Sequence, residues 1–189
     1  MTELWVVIAI AIVLLVTVIA IYNGIISRAN AAERAWANVI TQERQKNKII
    51  PHLEDVVKDY KAFEQSTLTQ VTELRSALQG LDANKIDTAQ LEKTEARTGQ
   101  LLKSLNITVE NYPELKASES YQKLMKEITD QQDNIGAAIR IFNQNVEDFN
   151  NGIETFPNSW VNGLLNKKVK IKTFSDSEAQ EGFDYKPNF

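Results

Sequence analysis

Residues 121–156 read YQKLMKEITDQQDNIGAAIRIFNQNVEDFNNGIETF, and within them Tyr121, Ile128, Ile135, Phe142, Phe149 and Phe156 recur at a constant spacing of seven. Met125, Ile139, Val146 and Ile153 widen that row on its flank. A seven-residue apolar period is the signature of a long helix packed along its length against another, so this stretch predicts an antiparallel seam in coiled-coil-like packing. The remaining positions are rich in Asn, Gln, Asp and Lys, as a solvated face requires. An aromatic stripe at this spacing is read as core rather than as a cofactor box.

Working toward the N-terminus, Tyr112-Pro113-Glu114 forms a corner, because proline disfavours helix in the residue before it. A second helix is expected over 88–111, with Asp87 as its N-cap and a thin stripe of Leu91, Ala96, Leu101, Leu102 and Leu105. Before it, Ala31 to Leu78 contains no Gly, and apolar residues recur three or four apart from Trp36 to Leu78. This predicts one long helix over about 28–80, ended by Gly80. Pro51 lacks an N–H and crowds the carbonyl four residues earlier, so a kink or break is expected at 48–50. Thr41 to Lys48 (TQERQKNK) holds no apolar residue at all. The favoured reading is a solvated helical stalk; the alternative is a polar contact surface between neighbouring copies.

At the N-terminus, residues 4–21 (LWVVIAIAIVLLVTVIAI) are apolar except for Thr17. Eighteen residues reach about 27 Å at ~1.5 Å each, and 22–26 can extend the helix, enough for a hydrocarbon core of about 30 Å. A cleaved signal is a poorer reading, because its apolar region is shorter, about 7–15 residues, and follows a positive start, whereas Met1-Thr2-Glu3 has no Lys or Arg. Arg28 and Arg34 follow the run closely and none precede it, so the positive-inside rule places the N-terminus outside and the body in the cytoplasm. Trp5 and Tyr22 bracket the run as interfacial aromatics do. Beyond Pro157 the sequence SWVNGLLNKKVKIKTF sets Trp160 ahead of Lys167, Lys168, Lys170 and Lys172. Two readings stand: an exposed extended tail whose lysines guard an edge, or a surface for anionic lipid. Residues 176–189 read as irregular.

The expected fold is therefore all-α: an N-terminal transmembrane helix, residues 1–27, continuing into an elongated antiparallel three-helix bundle, residues 28–157, with helices over about 28–80, 88–111 and 118–156. Residues 158–189 form a tail. Composition narrows the chemistry. The 189 residues include no Cys and one His, with Lys+Arg 21 against Asp+Glu 25. Disulfides, thiol nucleophiles and Cys- or paired-His metal sites are excluded. A net charge of −4 argues against a nucleic-acid partner. Outside the apolar run the hydrophobic share falls from 43% to about 37%, lean against the ~45–50% of a globular domain. There is no phosphate-binding GxxxxGK[ST], no GxSxG and no HExxH. His52 with Glu54, Asp55 and Asp59 is read as a solvated face, so no catalytic, metal or cofactor site is expected.

The order of features resembles the LemA family. Tyr22-Asn23, Arg28, Ala35-Trp36, Gln42, Arg44 and Ile50-Pro51-His52-Leu53, with Val56, Val57, Tyr60 and Glu64, match that family's first long helix. Tyr112-Pro113-Glu114-Leu115-Lys116-Ala117 matches its most characteristic turn, and Arg140, Phe142-Asn143, Phe149-Asn150 and Phe156-Pro157 its aromatic-Asn repeat. His52 stands where members commonly carry Asn, and Phe142 and Phe149 where they carry Tyr; the Lys-rich tail does not resemble the family's usual ending. The resemblance implies a bacterial membrane-anchored helical bundle without an established enzymatic activity. Some members look like lipoproteins, which would put the body outside the inner membrane, and family genes often lie beside membrane metalloproteases. The expected function is a membrane-bound scaffold that self-assembles at the envelope as a homo-oligomer in contact with lipid. The alternative is an adaptor presenting a bundle face to another membrane protein such as a protease.

Overall fold

A computed structural model describes residues 1–59 and 65–175. The expectation for 176–189, and the resemblance at Tyr60 and Glu64, fall outside the described residues. The elements are α1 (Thr2–Asp59), α2 (Gln65–Gly80), α3 (Thr88–Asn111), α4 (Pro113–Lys116), α5 (Glu119–Glu154) and α6 (Asn158–Val161), which runs into a π-helical turn at Asn162–Asn166. Among the described residues there is no strand, and the chain is all-α with a long apolar N-terminal helix.

Two compact units share the long helices α1 and α5. Among the described residues, one comprises 1–35 and 141–173; the other comprises 36–140 with 174–175. In the second unit, α2 folds back along α1. The Trp36 indole N–H donates to the Asp82 carbonyl at 2.9 Å, Arg44 donates to the Leu81 carbonyl at 2.7 Å, and Arg75 pairs with Glu54 at 2.7 Å. Partners thus descend from 82 to 75 as α1 ascends from 36 to 54. The single helix expected over 28–80 is therefore two antiparallel helices, α1 and α2. The apolar stripe continues through both arms of the hairpin, so periodicity alone does not reveal the reversal. Gln90 donates to the Gly80 carbonyl and Arg97 to that of Glu73, which runs α3 antiparallel to α2.

No break occurs at Pro51, which lies inside α1. Its ring deprives only the Asn47 carbonyl of a donor, and Pro51 is on the exposed side of the helix, where that carbonyl can be hydrated. Helix α3 has the expected span, with the Asp87 side chain accepting from the Gln90 N–H at 3.0 Å. Its buried face, however, is Thr88, Leu91, Thr94, Thr98, Leu101, Leu105 and Val109, with Ala96 exposed. Thr94 and Thr98 donate their hydroxyls to the carbonyls four residues back, leaving their methyls for the core. Threonine therefore supplies nearly half of a stripe that looked thin when only aliphatic residues were counted.

In the first unit, Ile25 and Ala29 of α1 pack with Phe149 and Ile153 of α5, and Ile21 and Ile171 close over them. The close approach has a local cause at Gly152, where a Cβ would sit 2.8 Å from Arg28 Cδ.

Candidate functional site

Thr41–Lys48 does not form the solvated stalk expected of it. Glu43 is 0% exposed and Lys46 6%. The reason is helical phase: Trp36, Glu43 and Ile50 stand seven apart, as do Val39, Lys46 and Leu53, and the four apolar members are core residues. Glu43 and Lys46 occupy the same two rows, so burial of the stripe carries them inside. Across the unit, Lys46 Nζ lies 3.1 Å from Glu43 Oε2 and 2.5 Å from Glu95 Oε1 of α3. Thr98 Oγ1 accepts from Lys46 at 3.2 Å, and Gln132 of α5 donates to Glu95 Oε2 at 3.2 Å. Beside them Gln131 donates to the Gln42 carbonyl at 2.8 Å.

Two carboxyls and one ammonium would leave a net negative charge inside the unit, and one carboxyl therefore favours its neutral form. Burial, aided by the nearby Glu95 charge, raises Glu43 from 4.5 to about 8 against the pull of Lys46. Burial also pushes Glu95 upward, but Lys46 and the hydrogen bonds from Glu43, Lys46 and Gln132 outweigh it and hold Glu95 below its ordinary value. At neutral pH the group is best described as a Lys46–Glu95 ion pair with a protonated Glu43 beside it. A cavity of about 30 Å³ adjoins Lys46, lined otherwise mainly by Ile49, Ile50, Leu53, Leu101 and Leu105. That is room for about one water, not for a substrate.

The first unit has the opposite character. Its apolar run is exposed from residue 4 to residue 20, with Trp5 at 69% and none of the most apolar eighteen-residue window buried. This helix is long and apolar enough to cross a membrane. Below the run, the chain after α5 is held by asparagines. Asn150 donates to the Ile171 carbonyl at 2.9 Å and accepts from its N–H at 3.0 Å. Asn162 makes the same two-way contact with Lys168, and Asn158 donates to the Gly152 carbonyl. Asn166 donates to the Tyr22 carbonyl at 3.4 Å. The segment is thus extended but clamped.

The residues singled out in the sequence fall as follows. Tyr121, Ile135, Phe142 and Phe149 are buried and Ile128 is half-buried. Phe156 departs from the row: α5 ends at Glu154, so no helix remains to carry the period, and its ring instead meets Trp160 edge-to-face at 5.8 Å. Tyr22 and Trp160 are exposed. Of the lysines, Lys167 takes a left-handed backbone at φ 50°, Lys168 is half-buried, Lys170 pairs with Glu154 at 2.5 Å, and Lys172 is exposed. His52 and Asp55 are exposed while Glu54 is engaged by Arg75; among the described residues no cluster of three or more potential metal ligands forms. Glu43, Lys46, Glu95 and the clamping asparagines were not anticipated as a site.

Comparison with known proteins agrees with this architecture. The chain is 30% identical over 160 residues to "Protein LemA" of Metamycoplasma hominis, covering 84% of this chain and 70% of the relative. The sequence model of the LemA family matches residues 35–185, which takes in the Lys-rich segment as well as the helices. With the bundle helices, corner and clamped segment all inside that match, the chain belongs to the LemA family.

Proposed function

We propose that this protein is a single-pass membrane scaffold of the bacterial cell envelope, anchored in the inner membrane by residues 4–21, which assembles laterally with its own copies and carries no catalytic activity. The observation that carries this reading is the exposure of the apolar run, all but its last residue, on a helix that continues without interruption to Asp59. Exposed apolar surface of that extent is stable only in lipid or against another chain. Anchoring confines every copy to one plane, which raises effective concentration so that weak lateral contacts suffice. A structural role is further supported by the ionisable cluster: Glu43 and Lys46 are sealed from solvent and cannot touch a substrate in this conformation.

Extraction in mild detergent followed by mass measurement and imaging tests the assembly. The expected result is a homo-oligomer at high membrane density; uniform monomers would contradict it, and a stoichiometric heterologous partner in its place would favour the adaptor reading. Orientation follows from the two arginines after the run, which assign the body to the cytoplasm. A cysteine introduced at Glu178 should then resist an impermeant thiol reagent in intact cells, and rapid labelling would place the body outside.

A further inference from the structure

We propose that residues 156–172 form a preorganised cap that seats in the headgroup region of an anionic bilayer where α1 enters it. The inference rests on the anchor reading and adds a second, in-plane membrane contact to it. Most large apolar side chains of this segment are outside, Phe156 at 74%, Trp160 at 71%, Leu164 at 75% and Val169 at 80% exposed, while Val161 is buried. The Phe156 and Trp160 rings meet edge-to-face at 5.8 Å, and Leu164 follows in the next turn, itself exposed. A short helix with Trp and Leu outward and lysines beside it has the composition of an interfacial element.

Position decides what this surface meets. Asn166 contacts the Tyr22 carbonyl, and Ile171, like Ile21, packs against the cluster of Ile25, Ala29, Phe149 and Ile153. Ile21 is the last residue of the apolar run, so the cap lies at the level where that run ends. It does not reach this level as a loose tail, because Asn150, Asn158 and Asn162 fix it through five hydrogen bonds. Little ordering entropy then remains to be lost when it enters the interface.

Charge selects the occupant. Lys167, Lys168, Lys170 and Lys172 lie within six residues, and Lys170 pairs with Glu154. A symmetric contact with a second copy would set this cluster against itself, whereas an anionic headgroup layer complements it.

The test uses the full chain carrying Trp5→Phe in vesicles of phosphatidylcholine, with or without about one-third phosphatidylglycerol, whose acyl chains are brominated near the headgroup. Trp36 is buried in the other unit, and a Trp5→Phe/Trp160→Phe chain supplies its background. Trp160 emission should fall by about half on bromination, as depth in the headgroup and upper acyl region requires. Quenching should be stronger with the anionic lipid, and Lys167→Gln/Lys168→Gln should remove that difference. Co-flotation with vesicles without Trp160 quenching would overturn the cap alone. Failure to co-float would overturn the anchor and the cap with it. Protection of Trp160 from both brominated lipid and aqueous acrylamide, growing with protein density, would assign the surface to a second copy and also overturn the proposal.

Discussion

Residues 41–48 and residues 156–172 each invert the usual placement of side chains, in opposite directions. The first is polar at every position yet sends Glu43 and Lys46 into the interior of its unit; the second leaves Phe156, Trp160, Leu164 and Val169 in the open. Helical phase explains the first case, since Glu43 and Lys46 fall in rows otherwise filled by Trp36, Ile50, Val39 and Leu53. Chain path explains the second, since asparagine clamps together with the packing of Val161 and Ile171 hold the segment and leave its other apolar side chains outside. The lesson is that polarity of a stretch does not set its exposure. Register decides in a helix, and backbone hydrogen bonding decides outside one.

The contrast can be broken most severely in the apolar run. Val13→Arg with Leu14→Arg places two charges at its centre, at roughly 2.5–3.5 kcal/mol each on the insertion scale. Most of the protein should then leave the membrane fraction on alkaline carbonate washing, while the native chain stays. Next in size is Lys46→Met, which leaves the buried Glu43 and the half-buried Glu95 without their cation. Loss of about 3–5 kcal/mol is expected, read as a lower denaturant midpoint by circular dichroism in detergent, and Lys46→Met/Glu95→Gln should recover part of it.

A smaller effect concerns pH. Glu43 has a folded pKa of about 8 against 4.5 unfolded, so between those values the folded state binds the extra proton. Its contribution is complete below about pH 4.5 and is lost as pH rises through 8. Glu95, lowered in the fold, acts oppositely: its contribution is present above its ordinary pKa and lost as pH falls through the folded value. The unfolding free energy should therefore decline from about pH 5 to about pH 8, with a slope of at most ~1.4 kcal/mol per pH unit, and the thermal midpoint should fall with it. Glu43→Gln, which keeps the shape and a donor, should flatten that decline; an unchanged slope would remove Glu43 as its source.

Smallest is Asn150→Ala, which deletes both hydrogen bonds to Ile171 and costs ~1–2 kcal/mol. Because the segment is held locally, the cost should appear as faster amide exchange at Ile171 and earlier proteolysis within 167–173, with the unfolding midpoint of the other unit unchanged.

The helices were legible in the sequence because each carries apolar residues at helical spacing. Asp87 marks the start of α3 and Pro113 the corner after it for reasons of local chemistry. The reversal between α1 and α2 was not legible, because Ile50, Leu53, Leu74 and Leu78 keep the same period on both arms of the hairpin. The buried cluster was present in the pattern but hidden by residue type: Glu43 and Lys46 keep the seven-residue register, and Gln132 fills the one gap between Met125 and Ile139. Reading phase before polarity would have found them. The clamps had no such signal, since Asn150 and Asn162 bond to backbone groups that any sequence could supply. Phe156 misled because a period was carried two residues past the end of its helix.

The account depends most on residues 4–21 being within a bilayer, and the absence of native cysteine makes this directly measurable. Single cysteines at Val13 and at the exposed Asn38 can be treated with a water-soluble maleimide in native membranes opened to both faces, before and after detergent. Asn38→Cys should label in both conditions, and Val13→Cys only once detergent is added. Rapid labelling of Val13→Cys in undisturbed membranes would contradict the anchor and everything built upon it.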